Sequence, residues 1–154
     1  MIEIIKTSDL KNSDKKKIFF LKNQFWKYGL KNQKEWFNKN IKKNDLHLLI
    51  KKKSIILAYN CLRKKKINND IYYVLDTIIV DKNFKKRKFG RYLISLNKLI
   101  SCLNDKPIFL KSNKKSVQFY KKSEFSFLIK KKSFFYFQFN NKSKKLEKFF
   151  KKLK

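Results

Sequence analysis

Apolar and polar positions along the chain follow two rhythms, one of about two residues and one of about 3.6, and these lay out the elements. Residues 1–6 (MIEIIK) read as a short strand. Ser8 and Asp9, or Ser13 and Asp14, offer N-caps for a helix running to about Tyr28, because Ile18, Leu21, Phe25 and Tyr28 recur at helical spacing. Gly29 supplies its stop. A second helix follows Asn32, with Trp36, Phe37, Asn40 and Ile41 on one side. Residues 46–51 and 54–63 form strands joined by a KKKS turn, and 71–80 is the next strand after a polar KKKINND turn. Phe89, Tyr92, Leu93, Leu96, Ile100 and Leu103 make an apolar stripe for a long helix. Residues 107–111 give a short strand, SNKKSVQFYKK a capped helix, and residues 125–129 with 133–139 an aromatic hairpin.

The order β-α-α-β-β-β-loop-α-β-α-β-β predicts an α/β (α+β) fold with a mixed sheet and helices on both faces. There is no internal repeat and no linker, so residues 1–140 are expected to form one domain. Residues 141–154 place Leu146, Phe149, Phe150 and Leu153 at i, i+3, i+4 and i+7 of a cationic amphipathic helix. Such a helix lies on a membrane surface, docks on a partner, packs back on its own domain or frays.

Composition changes this picture less than its extremes suggest. At 154 residues, 42% hydrophobic and 16% aromatic, the chain can bury a core. The net charge of +31 has the sign of a nucleic-acid binder. Only Arg63, Arg87 and Arg91 among the 42 basic residues are arginine, however, and arginine is the residue of bidentate phosphate and base contacts. One alanine, one proline and two glycines against abundant Lys, Asn, Ile and Phe point to an AT-rich coding sequence. The charge is therefore read mainly as surface drift, although it still attracts anionic ligands. Cys61 and Cys102 lie outside any CxxC pair and are expected to be reduced and buried. With His47 the sole histidine, no His/Cys zinc site assembles. Glu3 and Asp9 argue against a signal peptide, and no apolar run spans a bilayer, so a cytoplasmic location is expected.

Residues 72–99 concentrate the candidate chemistry: a strand (IYYVLDTIIV), a basic loop (DKNFKKRKFG) and a helix (RYLISLNKLI). Strand, glycine-bearing loop and helix form a common phosphate-holding arrangement, because a helix N-terminus presents open N–H groups and the positive end of its dipole. Asp76 sits in that otherwise apolar strand, where a carboxylate's pKa rises and it can act as a base or bind an amine. His47, alone at the start of a strand, reads as a surface or structural residue.

Two blocks carry a family resemblance. VDKNFKKRKFGRYLI is similar to the Q/R-x-x-G-x-G/A loop and following helix of the GNAT superfamily of acyl-CoA-dependent N-acetyltransferases. Lys85 falls on the Q/R position, Lys88 on the first glycine and Gly90 on the second. SNKKSVQFYKKSEF resembles that superfamily's Asn-initiated helix ending in Tyr and followed by Gly-Phe: Asn113, Tyr120 and Phe125 match, and Glu124 replaces the glycine. The resemblance covers residues 2–139 in element order and 74–125 in motif. It implies the acyl-CoA N-acyltransferase fold, with a mostly antiparallel mixed sheet, and acetyl-CoA as cosubstrate. It also implies direct transfer to an amine.

On this resemblance Ile78, Ile79, Val80, Lys85, Lys86, Arg87, Lys88, Phe89, Gly90, Arg91 and Asn113 bind the cofactor, with Lys88 expected to avoid positive φ. Tyr120 is the general acid for the departing thiolate, Asp76 the base, and Glu35 and Trp36 belong to the region that shapes the acceptor site. No metal is implied. The expected acceptor is a small-molecule amine, an amino-sugar or other anionic metabolite among the options, handled by a monomer or homodimer. The alternatives are a protein or peptide N-acetyltransferase and a nucleic-acid binder with an inactive acyltransferase-like fold.

Overall fold

The computed structural model describes residues 1–67 and 69–152. In chain order its elements are β1 (Ile2–Lys6), α1 (Asn12–Asn23), α2 (Leu30–Asn40), β2 (Leu46–Lys52), β3 (Ile55–Ile67), β4 (Asp70–Val80), α3 (Phe89–Asn104), β5 (Ile108–Ser112), α4 (Val117–Lys121), β6 (Ser126–Lys131), β7 (Phe134–Phe139) and α5 (Lys144–Lys152). The strands form a seven-stranded sheet in the order β1-β2-β3-β4-β5-β7-β6. β4 and β5 are parallel, with Tyr73, Val74 and Leu75 beside Ile108, Phe109 and Leu110. The pairs β1–β2, β2–β3, β5–β7 and β6–β7 are antiparallel. The parallel pair follows from the connection, since α3 carries the chain back across before β5 begins. This is the mixed sheet expected from the element order, and mostly antiparallel as the resemblance implies.

Two compact units share these elements: Met1–Arg63 with Thr77–Leu93, and Lys64–Asp76 with Ile94–Lys154. In the first, Ile18, Phe19 and Leu21 of α1 and Phe37 of α2 pack with Ile41 on Leu49, Tyr59, Cys61 and Ile79. Register puts Leu49 beside Tyr59 and His47 beside Cys61, so one face of the β2–β3 pair meets both helices. His47 is fully buried there. Its Nε2 lies 2.8 Å from the Thr7 hydroxyl and its Nδ1 2.9 Å from the Tyr59 hydroxyl. Burial, with Lys15 and Lys22 nearby, lowers its pKa to about 4. Lys51 bridges Glu3 at 2.7 Å and buried Asp14 at 2.9 Å, tying β1 and α1 to β2.

In the second unit α4 and α5 take opposite faces of β7. Tyr120 of α4 packs on Phe137, whereas Tyr136, the next residue back, joins Tyr72, Phe109, Leu128, Leu146 and Phe150. Leu146 and Phe150 of α5 thus pack into the protein's own core, and Phe149 is partly exposed. Leu153, the fourth member of the amphipathic stripe, lies outside the described residues, as does Asn68 of the KKKINND turn. Among the described residues no helix is long and apolar enough to cross a membrane.

Four expectations are corrected. The first helix ends at Asn23, and Tyr28, 67% exposed, and Phe25 are not core residues. Gly29 does not stop α1; with φ 81° it is the N-cap of α2, and its N–H donates to Asn23 Oδ1. Local side-chain bonds stabilise the connector against further helix: Asn32 donates to the Tyr28 carbonyl and Gln33 to that of Trp26. The α3 stripe is also rotated. Leu93, Ile94, Asn97, Ile100 and Ser101 are buried, while Tyr92 (58%) and Leu103 (76%) are exposed. Buried Ser101 is satisfied, donating to the Lys106 carbonyl and accepting from Asn140. The fourth concerns the thiols: Cys61 is buried as expected, but Cys102, expected to be buried too, is exposed.

Candidate functional site

The basic loop belongs to the first unit. β4 ends on Ile78, Ile79 and Val80; Ile79 is buried in the core cluster, and its two neighbours are half-buried. Asp81 then caps a 3-10 turn at Lys82–Phe84, accepting from the Asn83 N–H at 2.9 Å. Lys86 (φ 65°) and Lys88 (φ 61°) are both left-handed. Lys88 thus does not avoid positive φ but adopts the glycine-like geometry of the position it occupies. Turns of this kind gather backbone N–H groups into anion-binding concavities. Gly90 lies in the first turn of α3, where helix geometry leaves the N–H groups of Phe89 and Gly90 no acceptor within the helix. Lys82, Lys85, Lys86, Arg87, Lys88 and Arg91 are all exposed around it. Cations, left-handed turns and a helix start suit a diphosphate.

Nothing in the sequence pattern pointed to the groups that hold this loop. Gln24 Nε2 donates to Asp81 Oδ2 at 2.8 Å, and Gln24 Oε1 accepts from the Lys82 N–H at 3.3 Å. The ammonium groups of Lys82 and Lys85 lie 5.7 and 5.2 Å from the Phe25 ring. The α1–α2 connector therefore braces the loop. Phe25, expected in the core, serves as its platform instead. Trp36 of α2 likewise lies at the surface, with Lys22 packed 4.1 Å over its ring.

The second unit holds Asn113, Tyr120 and Asp76. Asn113 caps a 3-10 turn at Lys114–Ser116 through its side chain, which accepts from the Ser116 N–H. Tyr120 packs edge-on against Phe119 and Phe125 and tilts over Phe137. Burial pushes its phenol up to about 12, so it is protonated at neutral pH. Glu124, in the position where the motif carries glycine, has φ 62°. Its carboxylate pairs with Lys98, which lowers its pKa. The Phe125 N–H closes the turn onto the Tyr120 carbonyl. Asp76 is half-buried and lines a cavity of about 240 Å³ with Val74, Phe109, Lys111, Tyr136 and Phe150. Leu110 and Phe137 line the same cavity, and Phe137 is the ring over which Tyr120 tilts.

The chain has the acyl-CoA N-acyltransferase (GNAT) fold. Solved structures of that fold align with it over nearly their whole length. Escherichia coli ElaA matches with a TM-score of 0.72 and 18% identity, covering 90% of this chain and 98% of its own. An acyl-CoA N-acyltransferase from Pseudomonas aeruginosa matches with TM-score 0.73 and 14% identity over the same shares. PaiA N-acetyltransferase from Thermoplasma acidophilum, solved in complex with coenzyme A, gives 0.64 and 18%, again over 90% and 98%. No protein-family model matches the sequence, and no curated protein does.

Proposed function

We propose that the protein is an N-acetyltransferase that passes an acetyl group from acetyl-CoA to the primary amine of a small molecule. The observation that carries this reading is the β4–α3 loop. In a GNAT fold, two left-handed residues and a helix N-terminus stand among six exposed cations. Lys85 to Gly90 would hold the diphosphate through backbone N–H groups, while Ile78 and Val80 offer β4 surface to the rest of the cofactor.

The chemistry falls to two residues of the second unit, Asp76 and Tyr120. Asp76 takes a proton from the ammonium, and the free amine attacks the thioester carbonyl. The C–N bond forms, the C–S bond breaks, and the departing thiolate becomes a thiol by taking the second proton that the nitrogen loses. Tyr120 is better suited to donating a hydrogen bond to the departing sulfur than to giving up its proton outright. Burial keeps that phenol protonated at neutral pH, so it meets the sulfur as a donor.

Thermal unfolding with and without millimolar acetyl-CoA tests the reading. A ligand at ~100 times its Kd stabilises by about 2.7 kcal/mol, a shift of several degrees. An unchanged midpoint would remove the cofactor and the proposed activity with it.

A further inference from the structure

The cavity beside Asp76 has walls that the superfamily resemblance does not supply, because one of them comes from the C-terminal helix. Phe150 of α5 stacks on Phe109, ring centroids 3.9 Å apart and planes 14° from parallel. Tyr72 braces both rings edge-on, at 5.7 Å from Phe109 and 5.4 Å from Phe150. Tyr136 and Val74 continue the lining, and Asp76 brings a carboxylate into a chain that has only 11 acidic residues. Lys111 also lines the cavity, with its ammonium 3.7 Å over the neighbouring Phe134 ring.

We infer that this cavity is the acceptor site, and that it takes a compact primary monoamine carried on an aromatic or short alkyl body, with Phe150 setting the size limit. The inference rests on the acyltransferase reading above and specifies its substrate. The carboxylate holds the ammonium, and the surrounding aromatic faces add attraction for a cation. An amino-sugar would bury several hydroxyls against Phe109, Phe150 and Val74, which offer them no hydrogen bonds, at a cost for each. A polyamine would bring a second positive charge toward Lys111. The volume agrees: about 240 Å³ exceeds the ~150 Å³ that admits benzene and falls short of the ~300 Å³ where drug-sized pockets begin. The overall reaction is balanced: the alkylammonium loses two protons, one ending on the coenzyme A thiol and one in solvent, as the acetyl group moves from sulfur to nitrogen.

The test is a free-thiol assay with acetyl-CoA against 2-phenylethylamine, benzylamine, glucosamine 6-phosphate and spermidine, alongside calorimetric titration of coenzyme A alone. The two arylalkylamines are expected to give a kcat/KM at least tenfold above the sugar and the polyamine. Phe150→Trp, which fills the cavity, should raise KM for 2-phenylethylamine at least tenfold with kcat little changed. Phe150→Leu should instead admit 2-(1-naphthyl)ethylamine. Both variants should bind coenzyme A as the wild type does, which also certifies their fold. Preference for the sugar or polyamine, turnover of no amine by a protein that binds coenzyme A, or an unmoved KM in both Phe150 variants would each overturn the assignment. Failure of the wild type to bind coenzyme A would instead fall on the proposed activity.

Discussion

At the scale of single residues, the two positions where the motifs lack glycine still carry glycine's backbone. Lys88 at φ 61° and Glu124 at φ 62° hold left-handed conformations that an L side chain adopts at a cost of about 1 kcal/mol or more. Lys88→Gly and Glu124→Gly should each stabilise the fold by about 1 kcal/mol, read as a higher denaturant midpoint, although the glycine's freer unfolded chain offsets part of that gain. Tyr120→Phe removes the hydrogen bond proposed for the leaving sulfur. We expect a kcat about tenfold to a hundredfold lower with nearly unchanged acetyl-CoA affinity; equal losses in both would reassign Tyr120 to packing. His47 gives a pH signature. Its folded pKa near 4 lies below the unfolded value of 6.5, so the unfolded chain takes up the proton first. Stability is full above about pH 6.5 and declines as pH falls toward 4, by about 3 kcal/mol over the window. Chemical denaturation at stepped pH should show that slope, and His47→Phe should flatten it.

At the scale of elements, periodicity located every strand and helix to within a few residues but misjudged the segment after α1. Phe25 and Tyr28 keep helical spacing, yet spacing is blind to Gln24, whose amide has partners at Asp81 and Lys82 nearly sixty residues away. The left-handed turn at Lys88 was hidden for a related reason: residue type argues against positive φ, and only the closure of loop onto helix demands it. The cavity around Asp76 was half legible. An acid in an apolar strand stood out, but Phe150 reads in sequence as one position of a cationic amphipathic helix, and its stacking on Phe109 is a tertiary event. The brace can be tested. Gln24→Ala should cost about 1–2 kcal/mol of stability. It should also weaken acetyl-CoA binding severalfold while leaving kcat near its original value; unchanged affinity would mean that the loop holds its shape without help.

At the scale of the whole molecule, a charge of +31 decides how binding responds to salt. A cofactor held at one diphosphate involves few phosphate contacts. Its affinity should fall less than about tenfold between ~50 and ~200 mM salt, whereas a backbone-bound nucleic acid would lose roughly a thousandfold or more. Titrations of acetyl-CoA and of a short DNA duplex across that range separate the two, and tight duplex binding that survives ~200 mM salt would revive the nucleic-acid alternative. The same composition has a quieter result. With two glycines in the chain, left-handed turns fall to Lys53, Lys86, Lys88, Asp105, Glu124, Lys132 and Asn140. Five of these are lysine or glutamate, which together forgo about 5 kcal/mol, as much as the entire net stability of some domains. The fold therefore has about that much less margin than one with glycine at those five positions. A core truncation that a glycine-richer protein of this architecture would survive should unfold this one, so changes compatible with the fold would be confined largely to its lysine-covered surface.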